Sequence, residues 1–193
     1  MIVNIIGAPC SGKSTLACSL FSKLKSKHHS AEYVAEYAKQ LVWQEDFELL
    51  DNQYYVAQQQ YKMIKSIHGK VDYLVCDSPL FISLFYNEYN KNNISNVEKT
   101  KSMILDKMSE FEDSVYIFIK RNKKNSYDLN GRIHSESESV EIEESIQKML
   151  VDNDITYFEM STGDDLAKVY RYITKDDDHR EYSKLWAWFR ALF

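Results

Sequence analysis

The segment Gly7-Ala8-Pro9-Cys10-Ser11-Gly12-Lys13-Ser14 constrains this chain more than any other. It fits the spacing G-x-x-x-x-G-K-[ST], which chance places in about one chain in 150 of this length at average residue usage. The context raises its meaning. Ile2 to Ile6 before it is a short apolar run that reads as a buried strand. Lys13 to Lys27 after it carries Leu16, Leu20, Phe21 and Leu24 at helical spacing. Between a strand and a helix, glycines let backbone N–H groups turn inward around phosphate oxygens. The helix presents its positive end to the same anion. Lys13 then reaches the β- and γ-phosphates, Ser14 can ligate Mg²⁺, and Gly7 to Thr15 form the binding segment. ATP and Mg²⁺ are the expected cofactors.

The rest of the chain alternates strand-like and helix-like patterns. Strands are expected at Tyr33 to Ala35, Tyr73 to Cys76 (ending in Asp77), Ser114 to Ile119 and Ile155 to Phe158. Helices are expected at Glu36 to Trp43, Asn52 to His68, Pro79 to Tyr89, Val97 to Phe111, Ser135 to about Val151, and Asp164 to Ile173. Gly69 stops the second of these, and Ser135 with Glu138 resembles a capping box opening the fifth. Arg121 to His134 is polar and aperiodic, hence a loop. Alternating elements predict an α/β fold: a five-stranded parallel sheet with helices on both faces, a P-loop three-layer sandwich.

Composition agrees. Five Gly and two Pro among 193 residues fall far below the roughly 12% of average usage, which argues against turn-rich all-β folds. The net charge of −5 and a single short basic cluster (Lys120, Arg121, Lys123, Lys124) disfavour nucleic acid as the main partner. Cys10, Cys18 and Cys76 form no CxxC pair and read as reduced thiols. No apolar run approaches the ~20 residues of a membrane span. The opening MIVNIIG lacks the basic start and long apolar core of a secretory leader. The expected location is the cytoplasm, the host's if the chain is phage-encoded.

Residues 1–174 are read as one domain with a lid at about 121–135, and 175–193 as a C-terminal aromatic helical tail. The tail ends in Leu185, Trp186, Trp188, Phe189, Leu192 and Phe193, which suit a helix packed on its own core or a homodimer contact.

Two residues outside the P-loop carry chemistry. Asp77 ends an apolar strand, where a carboxylate faces the ligand crevice of an open α/β sheet. It can hold the Mg²⁺ shell or accept the proton of an attacking hydroxyl. Arg132 lies in a polar loop after Gly131, where it could close over phosphates during transfer. His134 is read as a surface residue. No His, Cys or Asp spacing indicates a structural metal.

GAPCSGKST, AEYAKQLV, YLVCDS and NGRIHSESESVEIEESIQKMLVDNDITY together resemble the P-loop kinase family that includes the ribosylnicotinamide kinase domain of bacterial NAD-salvage proteins. Related small kinases occur in phages. The resemblance covers roughly residues 1–160. It implies transfer of the ATP γ-phosphoryl to a hydroxyl of a nucleoside-like acceptor under an Arg-bearing lid. It places ATP on Gly7 to Thr15, makes Asp77 the acidic residue of the sheet and Arg132 the lid arginine, and sets Glu36 and Tyr37 near the acceptor. Lys39 stands where the family often has Arg, which bears on the acceptor's identity. On the helix of QYYVAQQQY, Gln53 and Gln60 share a face, as do Tyr54 and Tyr61. One such face is expected to line the acceptor pocket. Two other readings remain open at this point. One is a kinase of deoxynucleoside monophosphates or of a modified base in DNA. The other is an ATP-hydrolysing switch.

Overall fold

The structure, a computed structural model, describes residues 1–122, 127, 128, 130 and 133–175. Among them, β1 (Ile2–Ile6), α1 (Lys13–Ser26), β2 (Ala31–Val34), α2 (Tyr37–Gln44), α3 (Phe47–Asp51), α4 (Gln53–Ile67) and β3 (Tyr73–Asp77) form the first half. α5 (Leu80–Tyr89), α6 (Val97–Ser109), β4 (Ser114–Lys120), α7 (Glu136–Asp152), β5 (Phe158–Ser161) and α8 (Leu166–Thr174) form the second. The five strands pair in the order β2-β3-β1-β4-β5, every pair parallel. The three-layer α/β fold read from the sequence is the fold observed.

β1 is central, and each of its residues is buried because both faces are covered. One face packs Val3, Ile5, Val75 and Ile117 against Leu16, Leu20 and Leu24 of α1 and Val169 and Ile173 of α8. The other packs Ile2, Ile6, Leu74 and Phe118 against α4, α5 and α7. Phe81 and Phe118 are fully buried there. Truncating either to Ala would cost about 3–5 kcal/mol. No helix among the described residues is long and apolar enough to cross a membrane.

The capping box forms as read. Ser135 Oγ accepts from Glu138 N at 3.3 Å, and Glu138 Oε2 accepts from Ser135 N at 2.7 Å. Two expectations need correction. The last strand is Phe158–Ser161, not Ile155 to Phe158. After α7 the chain turns through Asp154 (φ 54°), and Ile155 N bonds Leu150 O at 3.0 Å. Ile155 and Tyr157 pack against the core before the chain enters the sheet opposite Ile117. Apolar burial alone does not tell a strand from the approach to one. The second strand is Ala31–Val34, so Ala35 lies beyond its end. α3 went unread because five residues are too few for periodicity to register. Its signal was the cap Asp46, whose Oδ1 accepts from Leu49 N at 3.2 Å.

Candidate active site

All strands are parallel, so their C-terminal ends open on one edge of the sheet, where ligands bind in open α/β folds. β1 feeds the Gly7 to Gly12 loop, β3 ends at Asp77, and Glu36 follows two residues after β2. A cleft of about 1040 Å³ opens there.

The loop's residue choices follow from its geometry. A Cβ on Gly7 would meet Ile119 O at 2.5 Å and Ser11 Oγ at 2.6 Å, so only glycine fits against β4. Gly12 has φ 94°, a left-handed conformation at the helix N-cap, and Cys10 has φ 61°. The loop is also braced from outside. Ser139 Oγ on α7 donates to Pro9 O at 2.6 Å, and Thr162 Oγ1 donates to Ser11 O at 2.5 Å. Holding these carbonyls outward favours amides that turn inward. Lys13 Nζ folds back onto Ala8 O at 2.9 Å.

Behind Lys13, Ser14 Oγ donates to Asp77 Oδ2 at 2.5 Å, and Tyr33 OH donates to the same oxygen at 3.3 Å. Asp77 is 2% exposed, and its Oδ1 is buried without a partner. A buried carboxylate oxygen with no donor is costly unless a cation or donor reaches it. Ser14 and Asp77 thus form a hard-oxygen pair of the kind Mg²⁺ takes, with an unclaimed lone-pair site. Burial, and next the Asp77 charge, push the Tyr33 phenol up.

Glu36 lines the same cleft and is half-buried. Its carboxyl is raised above the usual value, chiefly by burial, with Asp77 adding and Lys13 and Lys39 opposing. Lys39, Gln53 and Gln60 also line the cleft. Gln60 is committed to the fold: its Oε1 accepts from Tyr37 N at 2.9 Å, and its Nε2 donates to Ala35 O at 3.2 Å. It pins α4 to the turn that carries Glu36. Gln53 Nε2 donates to Leu50 O at 2.8 Å. Tyr37 packs on Leu41, Leu50 and Val56, and its hydroxyl donates to Tyr55 OH at 3.3 Å. Tyr61, on another face of α4, donates to Glu110 at 2.8 Å.

Sequence reasoning missed an aromatic wall. Tyr86 and Tyr89 of α5 line the cleft, and His134 stacks on Tyr86 with centroids 5.7 Å apart and planes at 13°. The reading of His134 as a surface residue is therefore corrected. It is half-buried, and burial lowers its pKa against the pull of Glu138. The available signal was i, i+3 spacing of Tyr86 and Tyr89 on a helix whose Leu80 to Phe85 run is wholly buried. Arg132, Gly131, Lys123, Lys124 and residues 176–193 lie outside the described residues. The expectations placed on the lid arginine and the tail fall there. Among the described residues no group of three or more His, Cys, Asp or Glu is arranged to hold a metal ion.

A family model described as an AAA domain matches residues 2–165. No curated protein matches the sequence. The chain is similar to the solved structure of the NadR protein in complex with NAD and AMP-PNP, at 15% identity and TM-score 0.61 over 84% of this chain and 44% of that one. It is similar to the NadR protein in complex with NR, at 17% identity and TM-score 0.63, over 85% and 46% of the two chains. It is also similar to the YorR protein from Bacillus subtilis in complex with phosphorylated GDP, at 14% identity and TM-score 0.56, over 91% and 94%. The chain spans less than half the length of the NadR chains. At these identities the likeness shows the fold. The resemblance stated at family level from the sequence is borne out.

Proposed function

Because the chain belongs to the AAA domain family, whose model spans residues 2–165, we propose that it is an ATP-dependent phosphotransferase. It moves the γ-phosphoryl of ATP to a hydroxyl of a nucleoside-type acceptor that is neutral or cationic. The observation that carries this reading is the convergence of two unlike features on one cleft. A phosphate cradle with Lys13 occupies one part, and a carboxyl group, Glu36, lines the same cleft as aromatic and amide side chains. A hydrolytic switch needs no such organic pocket.

The chain's residues divide the work. The Gly7 to Gly12 amides and the α1 N-terminus hold the triphosphate tail. Lys13 leaves Ala8 O for the β- and γ-phosphate oxygens, where charge shifts during transfer. Ser14 and Asp77 would hold Mg²⁺, which when bound neutralises phosphate charge. Asp77 gives Oδ2 to Ser14 and Tyr33 and would give its unpartnered Oδ1 to the cation, so the proton of the attacking hydroxyl is assigned to Glu36. The acceptor oxygen bonds to the γ-phosphorus as the bond from that phosphorus to the β,γ-bridging oxygen breaks. ADP leaves. Tyr86 and Tyr89 supply aromatic surface for the acceptor base, and Gln53 belongs to the same lining. Arg132 retains the lid role read from its motif.

The acceptor class follows from charge. Outside the phosphate loop the cleft is lined by Glu36, Asp51, Glu88, Glu138 and Glu141 against Lys39 and Lys91. Such a surplus of carboxylates repels a second phosphate and suits a neutral or cationic ring. A coupled assay of ADP release over a panel of nucleosides and their monophosphates tests this. The expected kcat/KM is at least about tenfold higher for the nucleosides. Higher values for the monophosphates would reject the acceptor class, and no ADP release with any acceptor would reject the transferase.

The outer brace gives a second expectation. Ser139→Ala removes the donor to Pro9 O and leaves a carbonyl unsatisfied, at a cost of about 1–3 kcal/mol. The variant should fold, melt earlier, and bind ATP several-fold more weakly by calorimetry. Unchanged affinity would show that the loop holds its shape without α7.

A further inference from the structure

We propose that Tyr33 is a positioning residue for Asp77, holding the carboxylate in register for the divalent cation; this rests on the phosphotransferase reading above. Tyr33 lies on β2 in register with Val75 of β3, two residues before Asp77. It packs on the α1 face of the sheet, its ring 6.4 Å from that of Phe21. Its hydroxyl reaches Asp77 Oδ2 at 3.3 Å, the oxygen that also accepts from Ser14 Oγ at 2.5 Å. The other oxygen, Oδ1, is buried without a partner.

The two donors on Asp77 Oδ2 differ in what a cation does to them. A serine hydroxyl has two oxygen lone pairs besides its O–H, so Ser14 can ligate a cation and still donate to the aspartate, but its orientation is then shared between the two. Tyr33 OH is the donor on Asp77 Oδ2 that the cation does not recruit. Without it Asp77 Oδ2 is held by Ser14 alone, a group the cation also engages, and the carboxylate is freer to rotate about its Cβ–Cγ bond. Partners of this kind fix the orientation of a metal-ligating carboxylate, and their removal costs about 10–100-fold in metal affinity. The contact here is long, which puts the effect near the lower bound.

Tyr33→Phe keeps the ring and its packing and removes one oxygen. Mn²⁺ binding to the protein with AMP-PNP, followed by electron paramagnetic resonance, reads the cation site without turnover. The expected result is about tenfold weaker Mn²⁺ binding for Tyr33→Phe. AMP-PNP affinity without metal should match the parent, as should the melting temperature within a few degrees. Parent-like Mn²⁺ affinity overturns the proposal. An equal loss of metal-free nucleotide affinity also overturns it, because a general structural role would explain it. Failure of the parent complex itself to bind Mn²⁺ overturns the phosphotransferase reading and this proposal together. Ser14→Ala distinguishes the levels, since it should weaken Mn²⁺ whether or not Tyr33 matters.

Discussion

Replacing Glu36 with Gln is expected to lower kcat about 10²–10⁴-fold, the contribution of a positioned general base. ATP affinity should change by no more than about twofold, since in the proposed mechanism the residue acts on the acceptor side of the transition state and not on the ground-state nucleotide. The pH dependence carries the sign. Glu36 acts as base only when ionised, and burial holds its carboxyl above the ordinary value. The parent enzyme should therefore lose kcat as pH falls through that raised value, at a pH where ordinary carboxylates are still ionised. In Glu36→Gln this acid limb should vanish from the residual rate. A variant that keeps both its rate and its limb would move the proton to another group.

Lys13→Met should have an effect of comparable size through a different cause. The ammonium rests on Ala8 O at 2.9 Å, a position that satisfies it while the phosphates are absent. Its transfer to the β- and γ-oxygens places a full positive charge where negative charge shifts during the reaction, and Met supplies none. A loss of about 10²–10³-fold in kcat/KM is expected, the range found for removing one preorganised electrostatic donor. Because Lys13 also opposes the rise of the Glu36 carboxyl, its loss should push the acid limb further up in pH. The fold should be unaffected, since the side chain is not part of either main core cluster.

The sequence carried most of the fold and one half of the site. The Ile2 to Ser14 segment combines a buried strand, two glycines needed for steric reasons and a helix start, so local chemistry alone specifies it. Strands β3 and β4 are continuous apolar runs and were legible for the same reason. β5 was not, because Ile155 and Tyr157 are apolar for packing and not for pairing. The side of the cleft proposed for the acceptor was largely illegible. Tyr86 reaches the cleft from a helix whose composition reads as core, and Tyr33 meets Asp77 only once β2 and β3 align. Gln60 shows the opposite case: a polar residue that looks like a ligand group spends both amide atoms on backbone. Long-range pairing decides such roles, and no local pattern encodes it.

The most direct test follows phosphorus labelled at the γ position of ATP, in parallel reactions with the parent protein and Lys13→Met, each with a nucleoside acceptor. The expected outcome is label on the nucleoside with the parent and at least about a hundredfold less with Lys13→Met. Label released only as inorganic phosphate, or equal transfer by both proteins, would contradict the placement of the reaction at the Gly7 to Ser14 loop.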